Sequence, residues 1–396
     1  MLRLIASCLV WLALALGLPP LAEQAWGQKG AIKIATQTPL SGEQAALGEH
    51  IKLGAQLAVE EAQNKFRKLG FDLVLVPYDD QAKPEVGVAN ARNIVADPDI
   101  LLIVGHFNSG VALPASEIYK ETMLTMISPA NTHPSITDRG YPNVNRVCGR
   151  DDIQGPVGAR FTARELKLKS VYIIHDKTLY GQGIAETFRD ESKKLGLKVL
   201  GFEGTEERAN FAPLIVPLRA RNPDMIYFGG IYHQGALLLK QLREKGVKGA
   251  FMGPDGLDSS EMIKIAGQAV VGSYYTTVAG PPDAYPESAS FAKRFKQRFG
   301  KDVESFDMYG YDAAALGLAA IEKAIQDLGG KKPNRTQVSS ALRKIKNFRG
   351  VTGSITLDGK GDPIQSKYFV LKFEKREYPG KVAKVVEQGP AQPKKS

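Results

Sequence analysis

Four polar residues, Ser109, Thr132, Tyr180 and Asp255, each follow a short run of apolar residues. Ile100 to Val104 leads into Gly105-His-Phe-Asn-Ser109-Gly110, and Leu124 to Ile127 into Ser128-Pro-Ala130-Asn-Thr132. Val171 to Ile174 leads into His175-Asp-Lys-Thr-Leu-Tyr180-Gly181, and Ala250-Phe-Met252 into Gly253-Pro-Asp255-Gly256. Such runs read as strands, and in open parallel sheets ligands bind beyond the carboxyl ends of the strands. A hydroxyl beside the free N–H groups of a helix start suits an anion. A phenol and a carboxylate suit a cation. The hydroxyls come from the first half of the chain, the phenol and carboxylate from the second. The predicted guest is therefore a zwitterion shared between two lobes. Each residue also has a plain structural reading. Ser109 reads as a helix N-cap, Thr132 as a turn residue, Tyr180 as a ring packed between lobes, and Asp255 as part of a type I turn.

Other chemistries find no footing in the sequence. There is no G-x-S-x-G elbow and no phosphate-binding G-x-x-x-x-G-K-[ST] loop, and the five histidines (50, 106, 133, 175, 233) lack metal-ligand spacing. Neither a catalytic residue, a metal nor a cofactor is expected. The one Gly-rich turn after a strand, Gly181-Gln-Gly183-Ile-Ala-Glu186, has a carboxylate where a dinucleotide fingerprint needs its third glycine. A dinucleotide-dependent dehydrogenase is thus a remote alternative. The chain carries 52 basic and 42 acidic residues, a net charge of +10, but the excess is scattered and free of aromatic interleaving. Nucleic-acid binding is not expected.

Positioning those four residues takes alternating elements. Ala31 to Ala35 reads as a strand, and Ile51, Ala55, Ala58, Ala62, Phe66 and Leu69 step along one helix face. Strand and helix alternate to about Ile127, and the scheme restarts after Arg150 with strands at 171–174, 198–202, 225–228, 250–252 and 272–276. Helices are predicted near 181–195, 211–221, 234–246, 287–299, 308–327 and 336–346, with closing strands at 354–357 and 367–373. Strict alternation implies parallel sheets covered on both faces, and the restart implies two of them. At 396 residues and 43% apolar content, the chain has ample material for two cores. The Lys-, Gln- and Pro-rich stretch 379–396 reads as a flexible tail.

The N-terminus reads differently. Arg3 precedes an uncharged run from Leu4 to Leu18, ended by Pro19-Pro20, with small residues around Trp26. The run is short of the roughly 20 residues a membrane-spanning helix needs. It is the pattern of a secretory signal over residues 1–27, cleaved before Gln28. Cleavage would remove Cys8, Trp11 and Trp26, leaving Cys148 as the single cysteine. An exported chain of this size has a core that needs no disulfide staple.

The stretches Pro39-Leu-Ser-Gly42, Tyr78-Asp-Asp80, Gly105-His106 with Ser109, Pro114-Ala-Ser116 and Ser128-Pro-Ala130 with Thr132 form a combination. His175-Asp-Lys177 with Tyr180-Gly181, Phe228-Gly-Gly230 and Phe251-Met-Gly-Pro254 complete it. Together they resemble the branched-chain amino acid-binding proteins of ABC importers, over about residues 30–375. The resemblance implies an α/β fold of two doubly wound parallel-sheet lobes joined by hinge crossovers, the type I periplasmic binding protein fold. It implies a first lobe of 28–150 plus 279–360 and a second of 151–278 plus 361–378. By the same resemblance Ser109 and Thr132 hold a ligand carboxylate. The Ala130 carbonyl, Tyr180 hydroxyl and Asp255 carboxylate hold an ammonium, and Leu47, Phe107 and Ile231 line the side-chain pocket. A monomer in the periplasm, an aliphatic amino acid ligand (leucine, isoleucine or valine) and a membrane permease as partner follow from it. Two departures stand out: Ala82 and Asn108 occupy positions where several members have a disulfide, and Asp255 replaces a glutamate. The alternatives on the same fold are a binder of aromatic or aliphatic carboxylic acids and a ligand-sensing regulator. Asp255 argues against the first, since a buried carboxylate without a partner is costly, and a signal peptide argues against the second.

Overall fold

The structure, a computed structural model, describes residues 29–389, so the signal segment lies outside the described residues. Five strands form the first sheet: β1 (Ala31–Thr38), β2 (Asp72–Asp79), β3 (Ile100–Gly105), β4 (Thr125–Ser128) and β5 (Val144–Arg146). They lie in the order β2-β1-β3-β4-β5, all parallel. Helices α1 (Ala45–Leu69), α2 (Pro84–Ala96), α3 (Ser109–Glu121) and the single turn α4 (Ser135–Asp138) connect them. Every residue of β3 is buried, as expected of a central parallel strand covered on both faces. The helix α1 stops at Gly70, which adopts the left-handed conformation (φ 93°) that leaves no Cβ penalty at a C-cap.

After β5 the chain passes into α5 (Asp151–Arg160) and a second sheet. Its parallel part is β6 (Ser170–His175), β7 (Lys198–Gly204), β8 (Met225–Gly229), β9 (Ala250–Gly253) and β10 (Tyr274–Thr277). These are joined by α6 (Leu179–Lys194), α7 (Ala212–Arg221), α8 (Tyr232–Glu244) and the short α9 (Glu261–Ala266). The chain then leaves for α10 (Ser288–Phe299), α11 (Ser305–Asp327) and α12 (Arg335–Lys344), of which α11 packs along α1. A small hairpin, β11 (Phe348–Gly350) with β12 (Gly353–Ile355), precedes the return. Two antiparallel strands, β13 (Ser366–Lys372) and β14 (Lys381–Gln388), complete the sheet in the order β14-β13-β10-β9-β8-β6-β7. Two sheets built on parallel strands are what the alternation and its restart implied.

Two of the departures from the expectations have a clear physical reason. Residues 381–388, expected within a flexible tail, form β14 and pair with β13 from Ser366↔Gln388 to Lys372↔Lys381. The Lys and Gln content that suggested a tail belongs to the solvated side of an edge strand, while Val382 and Val386 pack on the core. Charged residues on an edge strand also discourage pairing with another chain. The helix α5 had no predicted counterpart, because Gly155, Pro156 and Gly158 break its helical signature. In the fold Gly155 is a contact point: a Cβ there would fall 2.1 Å from Thr187 Oγ1 and 3.0 Å from the Ile184 carbonyl. Only glycine lets α5 lie this close to α6.

Candidate functional site

The four polar residues lie just beyond strand ends, and local chemistry holds them there. Ser109 is the first residue of α3, directly beyond β3, where helix N–H groups have no intrahelical partner. Beyond β4, the Ser128 hydroxyl accepts from the Ala130 and Asn131 N–H groups (3.2 and 2.8 Å) and shapes the loop that carries Thr132. Asn131 ties the two loops together: its Oδ1 accepts from the His106 N–H (2.9 Å) and its Nδ2 donates to the Phe107 carbonyl (2.9 Å). On the second lobe, the Thr178 hydroxyl caps α6 by accepting from the Gly181 N–H (2.9 Å). That cap places Tyr180 in the first turn of the helix.

Tyr180 and Asp255 meet. The Tyr180 hydroxyl donates to Asp255 Oδ1 (2.7 Å) and accepts from the Gly256 N–H (2.9 Å). Gln154 Nε2 donates to the same carboxylate oxygen (2.9 Å) and to Thr276. Burial raises the Asp255 pKa to about 6, against the two donors that favour its ionised form. Beside it lies Asp151, the first residue of α5, whose N–H donates to the Thr132 carbonyl (2.9 Å). Its carboxyl pKa is also raised, by burial first and then by the charge of Asp255. The Thr132 side chain favours the ionised form of Asp151, yet neither group completes a hydrogen bond of good geometry. Tyr227, stacked on Phe188 with ring centroids 3.9 Å apart, adds a third hydroxyl that feels both acids.

The telling feature is what these buried groups lack. Ser109 Oγ, Thr132 Oγ1, both Asp151 oxygens, Gln154 Oε1 and the Tyr227 hydroxyl have no hydrogen-bond partner in the protein. A buried polar atom left unsatisfied costs about 1–3 kcal/mol, so such a concentration does not serve stability. It suits a small polar guest that can both donate to the acids and accept from the hydroxyls.

Ser109, Tyr180 and Ile231 also line a cleft of about 500 Å³ between the lobes, with Asn108, Leu179 and Arg208 further out. Thr132, Ala130 and Asp255 are buried beneath it. Of the three residues expected to line a side-chain pocket, Ile231 faces this cleft. Leu47 is instead fully buried in the first-lobe core, and Phe107 packs edge-on against Phe306. The lobes touch at the rim, where Arg208 pairs with Glu43 (3.0 Å) and the Tyr232 hydroxyl donates to the Glu43 carbonyl (2.7 Å). His133 of the first lobe lies over Gly183 of α6, where a Cβ would come within 2.7 Å of its ring. The Arg208–Glu43 pair is exposed, and exposed pairs contribute little.

Asp151, Gln154 and Tyr227 were not among the predicted site residues. Asp151 carried one signal, an Arg150-Asp151-Asp152 sequence opening an element after the lobe crossing, but the helix that aims it was hidden by its glycines and proline.

The sequence profile described as periplasmic binding protein matches residues 31–377. The chain is 36% identical over 348 residues to Leu/Ile/Val-binding protein homolog 2 of Brucella abortus, covering 87% of this chain and 91% of that one. Its structure superposes on a leucine-binding protein, LivK, from Thermotoga maritima with a TM-score of 0.82 and 30% identity, covering 90% of this chain and 98% of the other. It shares its fold with a solute-binding protein of R. palustris in complex with benzoate, at a TM-score of 0.77 and 21% identity, covering 91% of this chain and 96% of the other. With paired parallel-sheet lobes, a cleft between them and these matches over most of its length, the chain belongs to the periplasmic binding protein family.

Proposed function

We propose that this protein captures a free aliphatic α-amino acid, of the leucine, isoleucine or valine class, and delivers it to the membrane permease of an ABC importer. The observation that carries the reading is the cluster of buried groups left without a hydrogen-bond partner, the Ser109 and Thr132 hydroxyls and both Asp151 oxygens, with Asp255 close enough for its charge to act on Asp151. The acids, with Tyr180 and the Ala130 carbonyl, take the ammonium. Ser109, Thr132 and the start of α3 take the carboxylate. No covalent chemistry occurs: closure of the lobes excludes water and strengthens these charge-assisted hydrogen bonds. The Brucella and Thermotoga relatives support an aliphatic side chain. The benzoate-bound neighbour shows that the fold also serves an acid without an ammonium, and Asp151 and Asp255 argue against that guest here, since a carboxylate would face two acids.

A thermal-shift screen of the protein with leucine, isoleucine, valine and benzoate tests this. A ligand at a hundredfold excess over its Kd stabilises the fold by about 2.7 kcal/mol, a rise of several degrees. Leucine or its branched relatives should produce it. A shift with benzoate and none with amino acids would give the site to organic acids. Ser109→Ala should weaken amino-acid binding by about 1.5–3 kcal/mol, roughly ten- to 150-fold, in isothermal calorimetry. An unchanged Kd would remove Ser109 from the carboxylate site.

The protein acts outside the cytoplasm as a monomer, leaving the lobe faces free for the permease. Residues 1–27 are cleaved on export, so intact-mass measurement of the exported protein should place its N-terminus at Gln28. With Trp11 and Trp26 gone, that protein should show no tryptophan emission. Retention of the leader in the exported protein would refute this.

A further inference from the structure

Arg146, the last residue of β5, is the largest fully buried side chain that carries a charge. The charge of its guanidinium favours the ionised form of Asp151, but its hydrogen bonds go elsewhere. It spans the loop behind Thr132 instead. Nη1 donates to the Asn131 carbonyl (2.5 Å), and Nη2 donates to the His133 carbonyl (3.0 Å) and to Thr137 Oγ1 (2.7 Å). The carbonyl between them, that of Thr132, accepts from the Asp151 N–H. All three consecutive carbonyls of the loop are thereby pinned, while the buried Thr132 hydroxyl is left without a hydrogen-bond partner.

The charge of Arg146 is balanced from elsewhere in the chain. Its Nε lies 2.7 Å from Asp362 Oδ1, and the Arg146 N–H donates to the Gly361 carbonyl (2.9 Å). Asp362 lies on the last crossing between the lobes. Its other oxygen holds Arg150 at 2.8 Å, on the first crossing, and its Oδ1 accepts from Thr137 Oγ1 (2.7 Å). One buried carboxylate thus joins two crossings to the loop that presents Thr132. A planar guanidinium suits this task because it offers several donors in a fixed fork, whereas an ammonium is a point charge on a flexible stem.

We propose that Arg146, held by Asp362, is a positioning residue for the carboxylate half of the cleft, setting the placement of Thr132 without touching the ligand. The inference rests on the ligand orientation proposed above. It implies that loosening this fork harms recognition of the ligand carboxylate selectively and spares the ammonium half, which other residues hold.

The test compares leucine with leucinamide, which keeps the ammonium and lacks the carboxylate, in wild type and Arg146→Lys. Lysine keeps the charge facing Asp362 but cannot bond both carbonyls and Thr137. Wild type should prefer leucine strongly. In the variant that preference should shrink at least tenfold, through a weaker Kd for leucine, with the Kd for leucinamide within threefold of wild type. Thermal melting of the ligand-free variant confirms that it folds; should it not, Asp362→Asn, which leaves the guanidinium in place but releases it, is compared in the same way. An unchanged preference would overturn the proposal, as would equal losses for both ligands, the signature of general damage. Wild type that binds leucine and leucinamide alike would instead overturn the carboxylate assignment itself.

Discussion

Asp255→Asn is expected to weaken binding of an α-amino acid by roughly thirty- to several-thousand-fold while leaving the fold intact. Removing one partner of a hydrogen-bonded, desolvated charge pair typically costs about 2–5 kcal/mol, and Asp255 is such a partner. Its carboxylate is 2% exposed and held by Tyr180 and Gln154. Asparagine is nearly isosteric, and its amide oxygen can still accept from the Tyr180 hydroxyl, so the scaffold around the site persists. The negative charge that faces the ammonium is what disappears. Calorimetric titration with leucine, beside a melting curve of the ligand-free variant, measures both halves of the statement. Near-normal affinity of the variant for leucine would mean that Asp151 alone carries the ammonium. A wild type that binds benzoate and not leucine, with the variant binding benzoate no worse, would mean that the guest has no ammonium.

The second expectation concerns pH, and its sign follows from burial. In the ligand-free cleft the Asp255 carboxyl titrates at about 6, raised by burial, and Asp151 beside it is raised as well, by burial and by the charge of Asp255. Around them stand Tyr180, Tyr227 and Gln154, with Arg146 behind the Thr132 loop. An arriving ammonium favours the ionised acids, so binding expels the proton they hold. Affinity should therefore rise with pH through the region near 6. Each unit below the midpoint is worth up to about 1.4 kcal/mol, or tenfold in Kd. Calorimetry at pH 6 in two buffers of different ionisation heat should show proton release on binding, and uptake or no exchange would contradict the assignment. Stability of the ligand-free fold runs the other way. A carboxyl whose pKa is raised by folding binds its proton more tightly in the folded state. Its contribution is thus full below the unfolded value near 4 and is lost as pH rises through about 6. Wild type should lose stability relative to Asp255→Asn over that window, and leucine should restore it.

How the site came to be legible depends on the kind of signal each residue carried. Ser109, Thr132, Tyr180 and Asp255 were found because a strand end is a local event: an apolar run stops, and a polar residue follows. The two parallel sheets were readable for the same reason, since a short apolar run giving way to a period near 3.6 needs no knowledge of distant chain. The edge strand β14 was missed because one solvated face and a lysine-rich composition resemble a tail until a partner strand supplies its hydrogen bonds. The helix α5 was missed because its glycines lower helix propensity in isolation, while contact with α6 rewards them in the fold.

The sequence by itself thus determined the lobes, the strand ends and the polarity of the guest, all of which follow from short-range periodicity and residue type. Tertiary structure alone decided that Asp151 joins Asp255, that Tyr227 and Gln154 complete the acidic half, and that Leu47 and Phe107 serve the core while Ile231 faces the cleft. It alone brought Asp362 to Arg146 across more than two hundred residues of chain. The reason is physical: which buried polar groups are left without a partner depends on every element packed around them, and that sum cannot be read from any one stretch of sequence.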